Sequence, residues 1–206
     1  MNNRRPIIYI VDDDVSVCRA LSLLLKSHGF EVQTFMRAAD FLAFKHFKLP
    51  SCLVLDIQLP DINGLLLQKI MERKGISIPI VFITGHGDIP MSVKGIKAGA
   101  IDFLSKPFTR KKLLDAVKLA IVKNKAQIKK QAEISIIKRR VSSLSPRELE
   151  VFRLVAKGML SKQIARKRGT ALQTIKVHRG RVMQKMQART VTELIHFAQK
   201  CDITFS

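Results

Sequence analysis

Short apolar runs alternate with helical patterns through residues 1–122, and this alternation restricts the possible folds more than any other feature of the chain. The runs cover 6–11, 31–35, 52–57, 78–84 and 100–107, and the segments between them carry apolar residues at helical spacing. The run at 52–57 is almost continuously apolar, as expected for a strand that is covered on both faces. A strand–helix repeat of this kind predicts a five-stranded parallel sheet with helices on both sides.

A long helical pattern follows the fifth run. Thr109 is placed to cap it, and an apolar stripe of Leu114, Val117, Ile121 and Ile128 runs along its first half before polar and basic residues take over. We expect the first half to be the last helix of the sheet domain and the second half to be an exposed basic connector. A dimeric coiled coil is a weaker alternative for this segment.

A new domain is predicted to begin near residue 142. Ser145, Pro146 and Glu148 occupy the N-cap, first and third positions of a helix, which is the pattern of a capping box with the preferred proline. Three more short helices fit into 161–200. The chain is therefore predicted to contain an α/β domain at 1–122, a helical linker at 123–141 and an all-α domain at 142–206.

The charge of the chain indicates a polyanionic partner. Its 206 residues include 37 Lys and Arg against 16 Asp and Glu, which gives a net charge of +21. The segments 1–122, 123–140 and 141–206 contribute +6, +6 and +9, so the excess is concentrated in the C-terminal part. A basic surface that only keeps the chain soluble is the alternative, but the uneven distribution favours a polyanion.

The cysteines and the N-terminus indicate a reducing, cytoplasmic location. Cys18, Cys52 and Cys201 are odd in number and scattered, without a Cys-x-x-Cys pair, so we expect reduced core residues and no disulfide framework. The apolar run at 6–11 is too short for a signal peptide or a membrane span, and no membrane partner is expected.

Acidic and polar residues lie at the ends of the predicted strands. Asp12 and Asp13 follow the first run, Asp56 belongs to the third, Thr84 ends the fourth and Lys106 the fifth. In a flavodoxin-like sheet of order 2-1-3-4-5 these strand ends open onto one crevice, so three carboxylates, a hydroxyl and an ammonium should converge. Such carboxylates need a cation, all-oxygen ligands suit Mg²⁺, and one carboxylate can then attack a phosphoryl group. Taken singly, an Asp after a strand is more often a turn or cap residue.

The motifs VDDD, LVLDIQLPDINGL, FITGHGD and DFLSKPF make residues 6–120 resemble the receiver domain of two-component response regulators. The resemblance implies a Mg²⁺ site formed by Asp12, Asp13, Asp56 and the backbone carbonyl of Gln58. Asp56 would be the phospho-acceptor, Thr84 and Lys106 would hold the phosphoryl group, and Phe103 would be the switch aromatic. The Lys106–Pro107 peptide bond would be cis, as it is in the family.

The C-terminal domain contains a helix, a turn at Gly169 and a second helix. On the second helix Ile175, Val182 and Met186, with Leu172 before them, can face inward. The residues predicted to contact DNA are Thr174, Lys176, Val177, Arg179, Arg181 and Lys185. By itself, a basic amphipathic helix is more often a solvated surface than a DNA reader.

Residues 143–198 resemble the LuxR-type helix-turn-helix domain through LSPRELEVFRLVAKG, SKQIARKRG, TIKVHRGRVMQKM and TELI. With the receiver, this makes nearly the whole chain similar to the NarL/FixJ class of response regulators, and to its FixJ-like branch. The resemblance implies a recognition helix at about 171–186 and dimerisation through about 191–200. Ala171 replaces the usual Ser or Thr cap, and Gly180 replaces a side chain within the helix; each change costs about 1 kcal/mol.

The two resemblances imply a phosphorylation-activated, DNA-binding transcription regulator, and not an enzyme with a substrate of its own. The expected partners are a sensor histidine kinase, promoter DNA, a second copy of the chain after phosphorylation, and RNA polymerase. Two alternatives stay open at this point. One is a constitutive DNA-binding protein with a vestigial receiver; the other, less favoured, is a Mg²⁺-dependent phosphatase that works through an aspartyl phosphate.

Overall fold

The computed structural model describes residues 5–85, 95 and 99–201, and the chain divides into two compact units, Met1–Ile128 and Lys129–Ser206. The helix predicted between the fourth and fifth strands falls largely outside the described residues. Within the described part of the chain, no helix combines the length and the apolar character needed to cross a membrane.

The first unit contains a five-stranded parallel sheet, as predicted. The strands are β1 (Ile7–Val11), β2 (Glu31–Phe35), β3 (Ser51–Asp56), β4 (Ile80–Thr84) and β5 (Asp102–Ser105), in the order β2-β1-β3-β4-β5. Every pairing is parallel. All residues of β1, β3 and β4 are buried, because helices cover both faces of the sheet.

The helices described in full for this unit are α1 (Val15–Ser27), α2 (Ala38–Ala43), α3 (Gly64–Arg73) and α4 (Arg110–Ser142), and α4 continues into the second unit. Side chains of α1 and the first part of α4 form one apolar core with alternate residues of the central strands. Those of α2 and α3 form the other, on the opposite face. Helix α1 is capped by Asp14, whose side chain accepts the N–H of Ser16 at 2.7 Å.

The apolar stripe of α4 continues through a polar residue. Leu114, Val117 and Ile121 are buried as predicted, and one turn later Asn124 is also buried. Its Oδ1 accepts the N–H of Ser51 at 2.9 Å, and its Nδ2 donates to the carbonyl of Ser77 at 3.4 Å. Residues just beyond 122 therefore pack with the first unit, while the predicted domain and linker boundaries stay predictions.

The second unit contains the end of α4 followed by α5 (Pro146–Ala156), α6 (Ser161–Arg168), α7 (Leu172–Met186) and α8 (Val191–Lys200). The predicted capping box at the start of α5 is confirmed. The Ser145 side chain accepts the N–H of Glu148 at 3.3 Å, and Glu148 Oε2 accepts the N–H of Ser145 at 2.8 Å. The core of this unit is built around Phe152, Ile164 and Val182.

The turn between α6 and α7 contains Gly169 in the left-handed conformation, with a φ of 60°. Ala171 caps α7 without any side-chain hydrogen bond, as its sequence predicts. Ile175, Val182 and Met186 are buried, but Leu172 is 40% exposed, so its predicted inward orientation is wrong. At about 100° per residue, Val182 and Met186 lie within about 20° of Ile175 around the helix, whereas Leu172 lies about 60° away.

Candidate functional site

Three carboxylates meet at the carboxyl ends of β1 and β3. One oxygen from each of Asp12, Asp13 and Asp56 lies within 4.8 Å of the others. Asp12 is fully buried, Asp56 is 6% exposed, and Asp13 faces solvent. The cluster thus combines two buried carboxylates with one exposed carboxylate.

Lys106, which follows β5, supplies the positive charge of the cluster. Its Nζ donates to Asp12 Oδ2 at 2.9 Å and to Asp56 Oδ2 at 2.7 Å. Its backbone N–H donates to the carbonyl of Thr84, a residue that is 1% exposed at the end of β4. The Lys106–Pro107 peptide bond is cis, as the resemblance implies. Four separate strands therefore contribute to one site.

Burial and charge pairing oppose each other at this site. Burial raises the pKa of Asp12, and the hydrogen bond from Lys106 only partly offsets this effect. Burial alone would lower the pKa of Lys106, but its bonds to Asp56 and Asp12 outweigh burial and raise that pKa. One ammonium cannot neutralise three carboxylates, so the cluster keeps an excess of negative charge.

Backbone N–H groups hold the carboxylates in place. Asp12 Oδ1 accepts the N–H of Asp14 at 2.9 Å, and Asp56 Oδ1 accepts the N–H of Gln58 at 3.0 Å. An all-oxygen, net negative donor set of this kind fits a hard divalent cation such as Mg²⁺. The expectation that the Gln58 carbonyl is a further ligand stays a prediction.

Gly64, the first residue of α3, is a residue of the site that the sequence did not reveal. A Cβ at this position would lie 2.5 Å from the carbonyl oxygen of Asp56 and 3.0 Å from the Cα of Ile57. The Asn63 side chain caps the helix here by accepting the N–H of Leu65 at 2.8 Å. The Asn-Gly pair in LPDINGL was the available signal, and it lets α3 begin directly against the backbone of Asp56.

Phe103 lies on β5, half-buried, in register with Phe82 on β4. The two ring centroids are 6.1 Å apart at an interplanar angle of 46°. The Phe103 ring also packs against the apolar core formed with α2 and α3. Its role as a switch stays a prediction.

The six residues predicted to contact DNA fall into two groups. Thr174, Lys176, Val177 and Arg181 are exposed on α7. Arg179 is half-buried and donates to the Ser161 hydroxyl at 3.1 Å. Lys185 donates to Glu148 Oε2 at 2.6 Å and to the Ser143 carbonyl at 3.2 Å, so its ammonium is engaged inside the unit.

The exposed face of α7 has no side chain at its centre, because a glycine lies there. Gly180 lies between Lys176 and Gln184 along this face, and a Cβ added to it would meet no atom within 4 Å. The exposed residues around it, Lys176, Val177 and Arg181, include two cations and one apolar side chain. Lysine and arginine can bond to phosphates and base edges, and an apolar side chain can pack against a thymine methyl, so a DNA contact through this face stays a prediction.

Two protein-family models match the chain, one over the part that contains the acidic cluster and one over the part that contains α7. Residues 8–118 match the response regulator receiver domain, and residues 142–198 match the bacterial regulatory proteins of the luxR family. The first match contains the acidic cluster and the second contains α5 to α8.

Curated relatives match over almost the full chain. Nodulation protein W of Bradyrhizobium diazoefficiens is 44% identical over 200 residues, with 97% of this chain and 88% of that protein covered. The transcriptional regulatory protein FixJ of the same organism is 39% identical, with 94% of each covered.

Solved structures agree with the sequence matches. The response regulator StyR is 43% identical, with a TM-score of 0.82 and coverage of 96% of this chain and 100% of that chain. These matches agree with the two units and with the sheet order. The chain belongs to the NarL/FixJ class of two-component response regulators, which combine a receiver domain with a LuxR-type DNA-binding domain.

Proposed function

We propose that this chain is a transcription regulator controlled by phosphorylation of Asp56, and that a sensor histidine kinase donates the phosphoryl group. The observation that carries the proposal is the acidic cluster itself. Asp56 lies within 4.8 Å of two further carboxylates, of which Asp13 is exposed, and 2.7 Å from the Lys106 ammonium. Burying two carboxylates side by side costs folding free energy, and this cost favours a working receiver over a vestigial one.

In the proposed reaction, an oxygen of the Asp56 carboxylate attacks the phosphorus of a phosphohistidine. A P–O bond forms, the P–N bond to the imidazole breaks, and a proton from solvent restores the neutral imidazole. Lys106 and the Thr84 hydroxyl would bind the phosphoryl oxygens as charge shifts toward them. Mg²⁺, held by Asp12, Asp13 and Asp56 with the Gln58 carbonyl, would supply further positive charge for this transfer.

The signal would leave the site through Thr84 and Phe103. A Thr84 side chain drawn toward the phosphoryl group would vacate space beside β5, and the half-buried Phe103 ring would then rotate inward. Such a change would alter the surface next to β5 and favour a dimer. The dimer would place two recognition helices on half-sites about one turn of DNA apart.

DNA recognition is proposed for the exposed face of α7. Lys176 and Arg181 would contact phosphates or base edges, while Thr174 and Val177 would lie against the groove. We leave Arg179 and Lys185 out of this set, because both are bonded within the unit. Dimerisation through α8, recruitment of RNA polymerase and a cytoplasmic location complete the proposal.

The phosphorylation step is tested with a small acyl phosphate as donor, with and without Mg²⁺, on the full-length chain. Intact mass should show one phosphoryl group on the wild type in the presence of Mg²⁺ and none on Asp56→Asn. Asp115→Asn, which changes an exposed carboxylate on α4, is the matched control and should accept the group normally. Continued consumption of the donor far beyond one equivalent would favour the phosphatase, and no phosphorylation at all would favour a vestigial receiver.

A further inference from the structure

The last turns of α4 pack as part of the DNA-binding unit, although they precede the luxR-family match, which starts at residue 142. Ile137 is 4% exposed and belongs to the core formed with α5 to α8. Glu133 Oε2 accepts a hydrogen bond from Lys200 Nζ, at the end of α8, at 2.9 Å. This segment of α4 therefore packs with the rest of the second unit and is hydrogen-bonded to it, whereas the sequence predicted an exposed connector.

Arg140, in the final turns of α4, contacts the C-terminus of α7. Its Nη1 donates to the backbone carbonyl of Met186, the last residue of α7, at 3.0 Å. Its Nη2 donates to the side-chain oxygen of Gln187. The last carbonyls of a helix have no partner inside the helix and carry partial negative charge, so a guanidinium is a suitable cap.

Gln187 has a backbone conformation that its residue type disfavours. Its φ is 52°, and among the described residues it is the only non-glycine residue with a positive φ. Gly169 has this role after α6, with a φ of 60°. Glycine would adopt the conformation without strain, so a side chain at this position indicates a function for that side chain. The contact present is the hydrogen bond from Arg140.

We propose that Arg140 is a positioning residue for the recognition helix, and that it acts through the carbonyl of Met186 and the side chain of Gln187. The inference rests on the proposed role of α7 in DNA binding. The guanidinium fixes the C-terminal end of α7, while Ala171 leaves its N-terminal end without a side-chain cap. The end of α4 therefore sets the orientation of α7, whose exposed face is proposed to contact DNA.

The test uses the full-length chain and a duplex that the wild type selects from a random-sequence library. The variants are Arg140→Ala, Arg140→Lys and Gln187→Gly, with Arg139→Ala as a control that removes an exposed neighbouring charge. DNA affinity, its dependence on salt, and thermal stability are measured for each.

Arg140→Ala should weaken specific binding about tenfold or more relative to Arg139→Ala, because a charge-assisted pair of hydrogen bonds is lost. Arg140→Lys should not restore it, since the guanidinium donates from two separate nitrogens held in one plane, whereas lysine has a single nitrogen on a flexible stem. Gln187→Gly should also weaken binding while its melting temperature stays at or above that of the wild type, because backbone strain is removed. A purely structural contact would not separate affinity from stability in this way.

Equal affinities for Arg140→Ala and Arg139→Ala, or wild-type affinity for Arg140→Lys or Gln187→Gly, would overturn the inference and leave the proposed function intact. A wild type that selects no sequence from the library would overturn the proposed function, and the inference with it.

Discussion

The Lys185–Glu148 pair gives a prediction that separates stability from DNA binding on the same helix. Lys185 was predicted to contact DNA, yet its ammonium lies 2.6 Å from Glu148 Oε2. Replacing Lys185 with Ala removes the cation bonded to a carboxylate whose side chain is 4% exposed and leaves it with Ser145 as its hydrogen-bond donor. The variant should therefore destabilise the DNA-binding unit.

The size of the effect follows from the pKa of Glu148. The hydrogen bond from Lys185, together with the N–H of Ser145, lowers this pKa from 4.5 to about 2. If Lys185 caused the whole change, it would stabilise the fold by about 3 kcal/mol. Because the Lys185 side chain is 39% exposed and Ser145 contributes, we expect a loss of about 1–2 kcal/mol.

The effect depends on pH in a defined direction. The pKa of Glu148 is lower in the folded chain than its ordinary value of 4.5, so the stabilisation is complete above that value. It is lost as pH falls from 4.5 toward about 2, because the unfolded chain then binds the proton first. The difference between wild type and Lys185→Ala should thus be largest near neutral pH and fall by about half near pH 3.

The assay is urea unfolding of the full-length chain. Hydrogen exchange of the peptide that covers α5 monitors the unfolding, so that the measured free energy is that of the DNA-binding unit alone. Arg181→Ala on the same helix is the control, and it should keep its stability to within about 0.5 kcal/mol while losing DNA affinity. A Lys185→Ala chain as stable as the wild type at pH 7, with a large loss of DNA affinity, would refute this reasoning.

Three further predictions concern single positions. Gly64→Ala should lower the rate of phosphorylation of Asp56, measured with the acyl phosphate donor, because its Cβ would force the backbone of Asp56 to move; an unchanged rate would contradict this. Gly180→Ala should raise the melting temperature of the second unit by a few degrees, since it gains about 0.5–1 kcal/mol of helix stability in open space; a lower value would contradict it. Asn124→Ala should destabilise the first unit by about 1–3 kcal/mol in calorimetry, because the buried N–H of Ser51 loses its acceptor. Lys125→Ala, an exposed position next to it, is the control.

Periodicity and local chemistry predicted most of the fold. Buried parallel strands have continuous apolar runs, so the strands could be recognised and their order inferred. The capping box at Ser145 is a local pattern, and it was correctly placed. The convergence of Asp12, Asp56 and Lys106 followed from strand order, since the ends of parallel strands meet at one edge of the sheet.

The features that the sequence did not reveal depend on partners distant in the chain. Asn124 interrupts an apolar stripe, and its bonds to Ser51 and Ser77, 73 and 47 positions away, explain its burial. Lys185 has the charge of a DNA contact, and its pairing with Glu148 is set by how two helices cross. Leu172 has the right residue type for the core, but the angle around α7 places it outside.

Coupling between the two units is the central claim, and DNA affinity measured with and without phosphorylation tests it most directly. The duplex selected by the wild type is titrated with wild type and with Asp56→Asn, each with Mg²⁺ and with or without the acyl phosphate donor. We predict that the donor tightens binding of the wild type about fivefold or more and leaves Asp56→Asn unchanged. Equal affinity of the phosphorylated and unphosphorylated wild type, or an equal response from Asp56→Asn, would contradict the account.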